Sequence, residues 1–317
     1  MTVSVRSVFA CVLSLLLSFA CAAGADFVFK PSDARVAFTA ASELVRRYSP
    51  RDAGTANGRR AAELIRQQAA RQGVSVRLDP FTARSRGEMR AFVNVVAELP
   101  GTDAQAPWIV LMSHFDTKPG IAGFQGANDG ASTSGLLVAL AGVLARRGRL
   151  RENVCLAWTD AEESRVSYGA DDGFQGSKRL VAQFQAQKRT VKAAVCLDML
   201  GDRDLNISVP LNSTPELARL AAQAAVEAGF ARRVTLCDDL QILDDHAAFF
   251  DAGYPAIDFI DFDYGSRPGH NDYWHTAADT LDKISSSSLF ISGRILAAFL
   301  NRLVTAEAVP SAVSGGK

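Results

Sequence analysis

The chain has 317 residues, 48% hydrophobic and 21% charged, which is the composition of a globular protein and excludes a disordered or fibrous one. Lysine plus arginine and aspartate plus glutamate both number 34, giving a formal net charge of zero. That balance argues against nucleic acid or an anionic membrane surface as the main partner.

The N-terminal stretch "MTVSVRSVFACVLSLLLSFACAAGADF" carries one arginine, an apolar run from Val8 to Ala20 and then small residues. This is the pattern of a secretory signal peptide, assigned to residues 1–23, with cleavage near Ala22 to Ala25. The run is short of the roughly 20 residues that span a bilayer, and no other segment reads as long and apolar enough. The expectation is an exported chain, periplasmic or secreted, with no stable membrane insertion once the signal is removed.

Beyond the signal, helices are expected over Asp33–Tyr48 and Gly58–Gln72, the second stopped by Gly73. "VSVRLDPF" and "AFVNVVAELP" alternate like strands. "WIVLMSH" is a continuous apolar run, as expected of a strand covered on both faces. A helix over Ser132–Arg147, the buried strand "NVCLAWTD", the helix "GSKRLVAQFQAQ" and the buried strand "KAAVCLDML" follow. "STPELARLAAQAAVEAG" has Thr214 as N-cap, Pro215 in the first turn and Gly229 at its end. "YPAIDFID" is a strand, and Leu289–Val304 is the last helix. Strands alternating with helices read as a three-layer α/β/α sandwich around a mixed, mostly parallel sheet, forming a single domain over residues 24–317.

Signal removal leaves Cys155, Cys196 and Cys237. An odd number without tight spacing is no disulfide framework, so buried thiols are expected, with at most one bridge.

In such sheets ligands sit beyond the carboxyl ends of the strands, and acids and histidines gather there. "WIVLMSH" ends in His114, with Asp116 two residues on; Glu162 and Glu163 follow "NVCLAWTD"; "KAAVCLDML" carries Asp198; "GANDGASTSG" carries Asp129 before a helix; "YPAIDFID" leads to a loop ending at His275. Asp129 alone also reads as an N-cap. Asp198, inside an apolar run, is a buried carboxylate that needs a partner. Histidine and carboxylate donors together suit Zn²⁺. With two adjacent glutamates, one can bind the metal while the other stays free as a general base. A metal hydrolase or transferase is the reading these residues support.

The motifs "SHFDT", "GANDGAST", "DAEES", "LDMLGD", "DDHAAF" and "YWHTAADTLD" resemble, in order and spacing, those of the zinc-dependent M28 peptidase superfamily. Within it, the chain most resembles the glutaminyl-peptide cyclotransferases, or glutaminyl cyclases. The resemblance implies a zinc-exopeptidase-like fold, with Asp129, Glu163 and His275 as zinc ligands and Glu162 as catalytic acid/base. It implies Asp198 and Asp244 as a hydrogen-bonded acid pair behind the substrate, and Trp274, Tyr168 and Tyr273 as pocket wall. Tyr168 stands where the animal enzymes have a tryptophan. One zinc is implied; His114 and Asp198 would hold a second in two-zinc relatives, with Asp116 orienting a ligand. The implied substrates are peptides or proteins with N-terminal glutamine, cyclised to pyroglutamate. A di-zinc aminopeptidase on the same scaffold is the alternative, and a binding module without activity is a further one. His246 is expected to be structural, hydrogen-bonded beside the site, and His270 a rim residue. Asp279 and Asp282 read as capping and surface residues leading into the final helix.

Overall fold

The computed structural model describes residues 26–306, so the signal-peptide assignment and the C-terminal tail lie outside the described residues. The chain opens with α1 (Pro31–Tyr48) and α2 (Ala56–Ala70), the second capped by the Thr55 hydroxyl accepting from the Gly58 N–H. It continues through β1 (Arg77–Ser85), β2 (Glu88–Leu99), β3 (Trp108–His114), α3 (Thr133–Arg147), β4 (Asn153–Thr159), α4 (Gln175–Ala186) and β5 (Val191–Asp198). Then come β6 (Ile207–Val209), α5 (Pro215–Glu227), β7 (Val234–Leu236), α6 (Asp245–Asp251), β8 (Ala256–Ile260) and α7 (Ser286–Thr305). Thr214 precedes α5 as expected, but its hydroxyl accepts from the Ala256 N–H of β8 and not from its own helix.

The eight strands of the described residues form one sheet in the order β1-β2-β4-β3-β5-β8-β6-β7. The central neighbours β4, β3, β5 and β8 are parallel; β1, β2 and β6 join antiparallel. The mixed, mostly parallel sandwich read from the sequence is therefore the observed fold. Its layers follow from the two-residue period of the strands. Ile109 and Leu111 of β3 point into one core with α1, α2, α3, α5 and α7, whereas Val110 and Met112 point into a second with Leu180 and Phe184 of α4 and Phe249 of α6. Strands buried on both faces cannot alternate with polar residues, which is why these segments read as unbroken apolar runs.

Cys155 and Cys196 are buried free thiols, and Cys237 is free as well. One expectation is corrected. Helix α7 is, by length and composition, apolar enough to cross a membrane; 61% of its apolar stretch is buried in the fold, where core packing accounts for the composition.

Candidate metal and acid–base site

Parallel strands β3, β4 and β5 all end at one edge, and the loops beyond them carry the chemistry. His114 is the last residue of β3 and Asp198 the last of β5. The turn after β4 places Glu162 and Glu163 side by side, both buried. Asp116 fixes that turn: its two carboxylate oxygens accept from the Glu162 and Glu163 N–H groups, each at 3.2 Å. Asp129 is not a helix cap. It sits in a kinked turn, Ala127–Ser132, with Gly130 at φ +87, where a Cβ would meet the His114 ring at 2.9 Å.

Two three-donor groups share Asp129. Asp129, Glu163 and His275 form one and His114, Asp129 and Asp198 the other, with the donor atoms of each within 4.8 Å of one another. His275 Nε2 lies 3.0 Å from Glu163 Oε1 and 3.4 Å from Asp129 Oδ2. His114 Nε2 lies 3.2 Å from both Asp129 Oδ1 and Asp198 Oδ1, and its Nδ1 3.6 Å from Asp116. Asp129 Oδ2 is buried without a hydrogen-bond partner. A cation satisfies such an oxygen, and one imidazole with two carboxylates is a donor set that suits zinc. Glu162, next to this set, belongs to neither group.

The electrostatics follow from crowding acids in a dry place. Burial, and then the neighbouring Glu163 and Asp244, push the Glu162 carboxyl well above the usual range. Burial and Asp198 push Asp244 up to about 7. Burial opposes charge on His114, but its bonds to Asp116, Asp129 and Asp198 outweigh that and raise it well above an ordinary imidazole.

A cavity of about 260 Å³ opens onto these groups. Trp274, stacked on the His275 ring at 3.8 Å, walls it together with Tyr168, Ile260, Phe262 and the segment Leu240–Leu243. A larger cavity of about 460 Å³ lies at the other end of the sheet, beside Leu144 and Leu150; it contains no histidine or cysteine and no three-donor group.

Several expectations are corrected. Asp279 is buried, not a surface cap: it accepts from the N–H groups of Asn128 (2.8 Å) and Asp129 (3.1 Å) and from the Tyr264 hydroxyl (2.6 Å). It holds the Asp129 turn from behind, while Asp282 is on the surface as read. No hydrogen bond joins Asp198 to Asp244 among the described residues. Asp198 pairs with His114, and Asp244, as N-cap of α6, turns towards β5 and accepts from the Cys196 thiol at 3.3 Å. Tyr273 does not line the cavity; it packs edge-on against Tyr264. His246 is buried beside the site, but its ring nitrogens lack hydrogen-bond partners; Nδ1 stands 3.7 Å from Asp258, and burial lowers the ring to about 3, so it is neutral. His270 pairs with Arg267, away from both donor groups.

Sequence reading missed three residues. Arg51 is fully buried and donates to the carbonyls of Phe115 (2.5 Å), Gln125 (2.7 Å) and Gly126 (2.7 Å), pinning the segment that leads to Asp129. Asp258 of β8 lies opposite Cys196 of β5, within the same buried group as Asp244. Asp172 accepts from the N–H groups of Arg165, Val166 and Ser167 and so fixes the loop that carries Tyr168. Of the three, only Asp258 gives a sequence signal, an acid inside the apolar run "YPAIDFID".

The profile of Peptidase family M28 matches residues 94–300. The crystal structure of an Acidobacteriales bacterium glutaminyl cyclase is similar over 90% of this chain and 97% of that one, with 32% identity and a TM-score of 0.78. A Porphyromonas gingivalis glutaminyl cyclase is similar over 85% of this chain and 98% of its own, at 26% identity and a TM-score of 0.75. A mouse glutaminyl-peptide cyclotransferase-like protein is 28% identical over 74% of this chain. The chain spans 66% of that mouse protein's length, just under two thirds.

Proposed function

Because the chain belongs to Peptidase family M28 and shares its fold and much of its length with bacterial glutaminyl cyclases, we propose that it is a zinc-dependent glutaminyl-peptide cyclotransferase. Its substrates in this reading are peptides or proteins with N-terminal glutamine, and its products are pyroglutamyl peptides and ammonia. The observation that carries the reading is the cavity itself. Glu162 stands free beside a three-donor group, and Asp198 and Asp244 lie at the same small cavity between apolar walls.

Asp129, Glu163 and His275 would hold the zinc. Bound there, it supplies Lewis acidity towards the γ-carboxamide oxygen of the substrate. The α-amine must reach the γ-carbon as a neutral nucleophile. Glu162 acts as its carboxylate, which burial makes more basic: it takes one amine proton as the C–N bond of the ring forms and, as the carboxylic acid, gives that proton to the departing amide nitrogen, which leaves as ammonia. Asp198 and Asp244 offer carboxylate oxygens to the amine and amide hydrogens. A cavity of this size holds one side chain folded back on its own amine, which is the near-attack arrangement an intramolecular reaction needs. We favour one zinc per chain, in the group whose three members all line the cavity; His114 of the second group does not line it.

The alternative is an aminopeptidase with Glu162 activating water. Asp244 favours the cyclase: it is a buried acid among the residues lining the cavity where an amine must be held. One assay pair decides. Glutamine naphthylamide should be converted to the pyroglutamyl product, and leucine nitroanilide should not be hydrolysed. Rapid leucine release without pyroglutamate formation overturns the cyclase.

A further inference from the structure

We propose that Tyr168 serves the site through its hydroxyl, as a positioning residue that fixes the ligand oxygen of Glu163, and not chiefly as a wall of the cavity. The inference rests on the cyclase reading for its substrate, but on geometry for its substance.

The two oxygens of Glu163 have different company. Oε1 faces the donor group, 3.0 Å from His275 Nε2. Oε2 receives the Tyr168 hydroxyl at 3.1 Å, and Lys118 Nζ stands 3.6 Å from the same oxygen. A carboxylate that binds a metal through one oxygen is oriented by what its other oxygen bonds. The phenol also lies 3.5 Å from Glu162 Oε2, so a single O–H stands between the ligand and the free glutamate.

The ring is built in to aim that hydroxyl. Phe174 stacks on it with centroids 4.7 Å apart and 14° between planes, and Lys118 sits over it at 5.1 Å. Lys118 is itself held by the Ser164 hydroxyl at 2.7 Å. Gly173, at φ +88, lets the ring come close: a Cβ there would lie 2.6 Å from Tyr168 Cδ1. A residue whose faces are occupied by protein has little aromatic surface left to offer a substrate, whereas its hydroxyl meets the acid groups.

The test is Tyr168→Phe, which keeps the ring and its packing and removes only the oxygen. The zinc dissociation constant of the purified protein is measured by competition with a chelator of known affinity. Alongside it, kcat and KM are measured at saturating zinc on glutamine naphthylamide. The expected result is zinc bound about tenfold more weakly, with kcat lower by about tenfold and KM within about twofold of wild type. A zinc constant within twofold of wild type overturns the proposal, and so does a rise in KM with zinc binding unchanged, which is the signature of a wall. If the wild-type protein forms no pyroglutamate, the cyclase reading fails, while the zinc measurement still decides what the hydroxyl does.

Discussion

Glu162 and Glu163 are neighbours in the chain, equally buried, and different in kind. Glu163 is engaged by His275, Tyr168 and Lys118; Glu162 has only the distant Tyr168 hydroxyl. Glu162→Gln should therefore leave zinc content at about one per chain and lower kcat by about 100-fold or more, the range for loss of a general acid/base. His275→Ala should lose the metal itself. Elemental analysis with single-substrate kinetics separates the two, and activity within threefold in the first variant removes Glu162 from its role. At this scale His114, Asp198, Glu162 and Glu163 are legible because each ends or follows an apolar run, whereas Asp129, before a helix, reads equally as a cap. Asp279 was not: its partners Asn128, Asp129 and Tyr264 are distant in sequence, and an Asp before a helix reads as a cap whether or not it is one. Arg51 was hidden for the same reason, since its partners are backbone carbonyls, which every residue has.

The elements that position these residues were read well where burial is two-sided. β3, β4 and β5 fall on the expected apolar runs, and α1 and α3 are within a residue or two of their expected ends. The short strands β6 and β7 were not seen, because three residues are too few to display a period. The turn before α3 also escaped. Its sequence suggests a capped helix start, yet Asp129 and Gly130 leave helical geometry, and the kink is what turns Asp129 towards both histidines. Gly130→Ala tests that element. Its φ of +87 and the His114 ring at 2.9 Å leave no place for a methyl group. A loss of about 1–3 kcal/mol in denaturant stability is expected, the range for strain of this kind, together with weaker zinc binding. Stability unchanged within error shows that the kink is dispensable.

Across the whole molecule, the edge that carries the site is an assembly of acids brought out of water. Away from the donor groups, burial pushes Asp160 and Asp261 up to about 8, helped by the charges of Asp116 and Asp202 respectively. Unfolded, such groups titrate near 4. The folded state thus holds their protons more tightly, and the stability this contributes is full below about pH 4 and lost as pH rises through about 8. The metal-free protein should melt at progressively lower temperature between pH 5 and pH 8, measured by scanning calorimetry in chelator; a flat or rising melting temperature over that window contradicts this. A different consequence follows from how Asp129 is seated. Arg51 braces its segment from near the start of the fold, and Asp279 braces it from just before the last helix. Contacts so far apart in sequence need the whole intervening span of chain before they can close. A growing chain that has not yet delivered residues 275–279 has neither the last donor nor the rear brace. With Asp129, Glu163 and His275 as the proposed ligands, metal capture then acts as a receipt for a finished chain, and truncated products should emerge without metal.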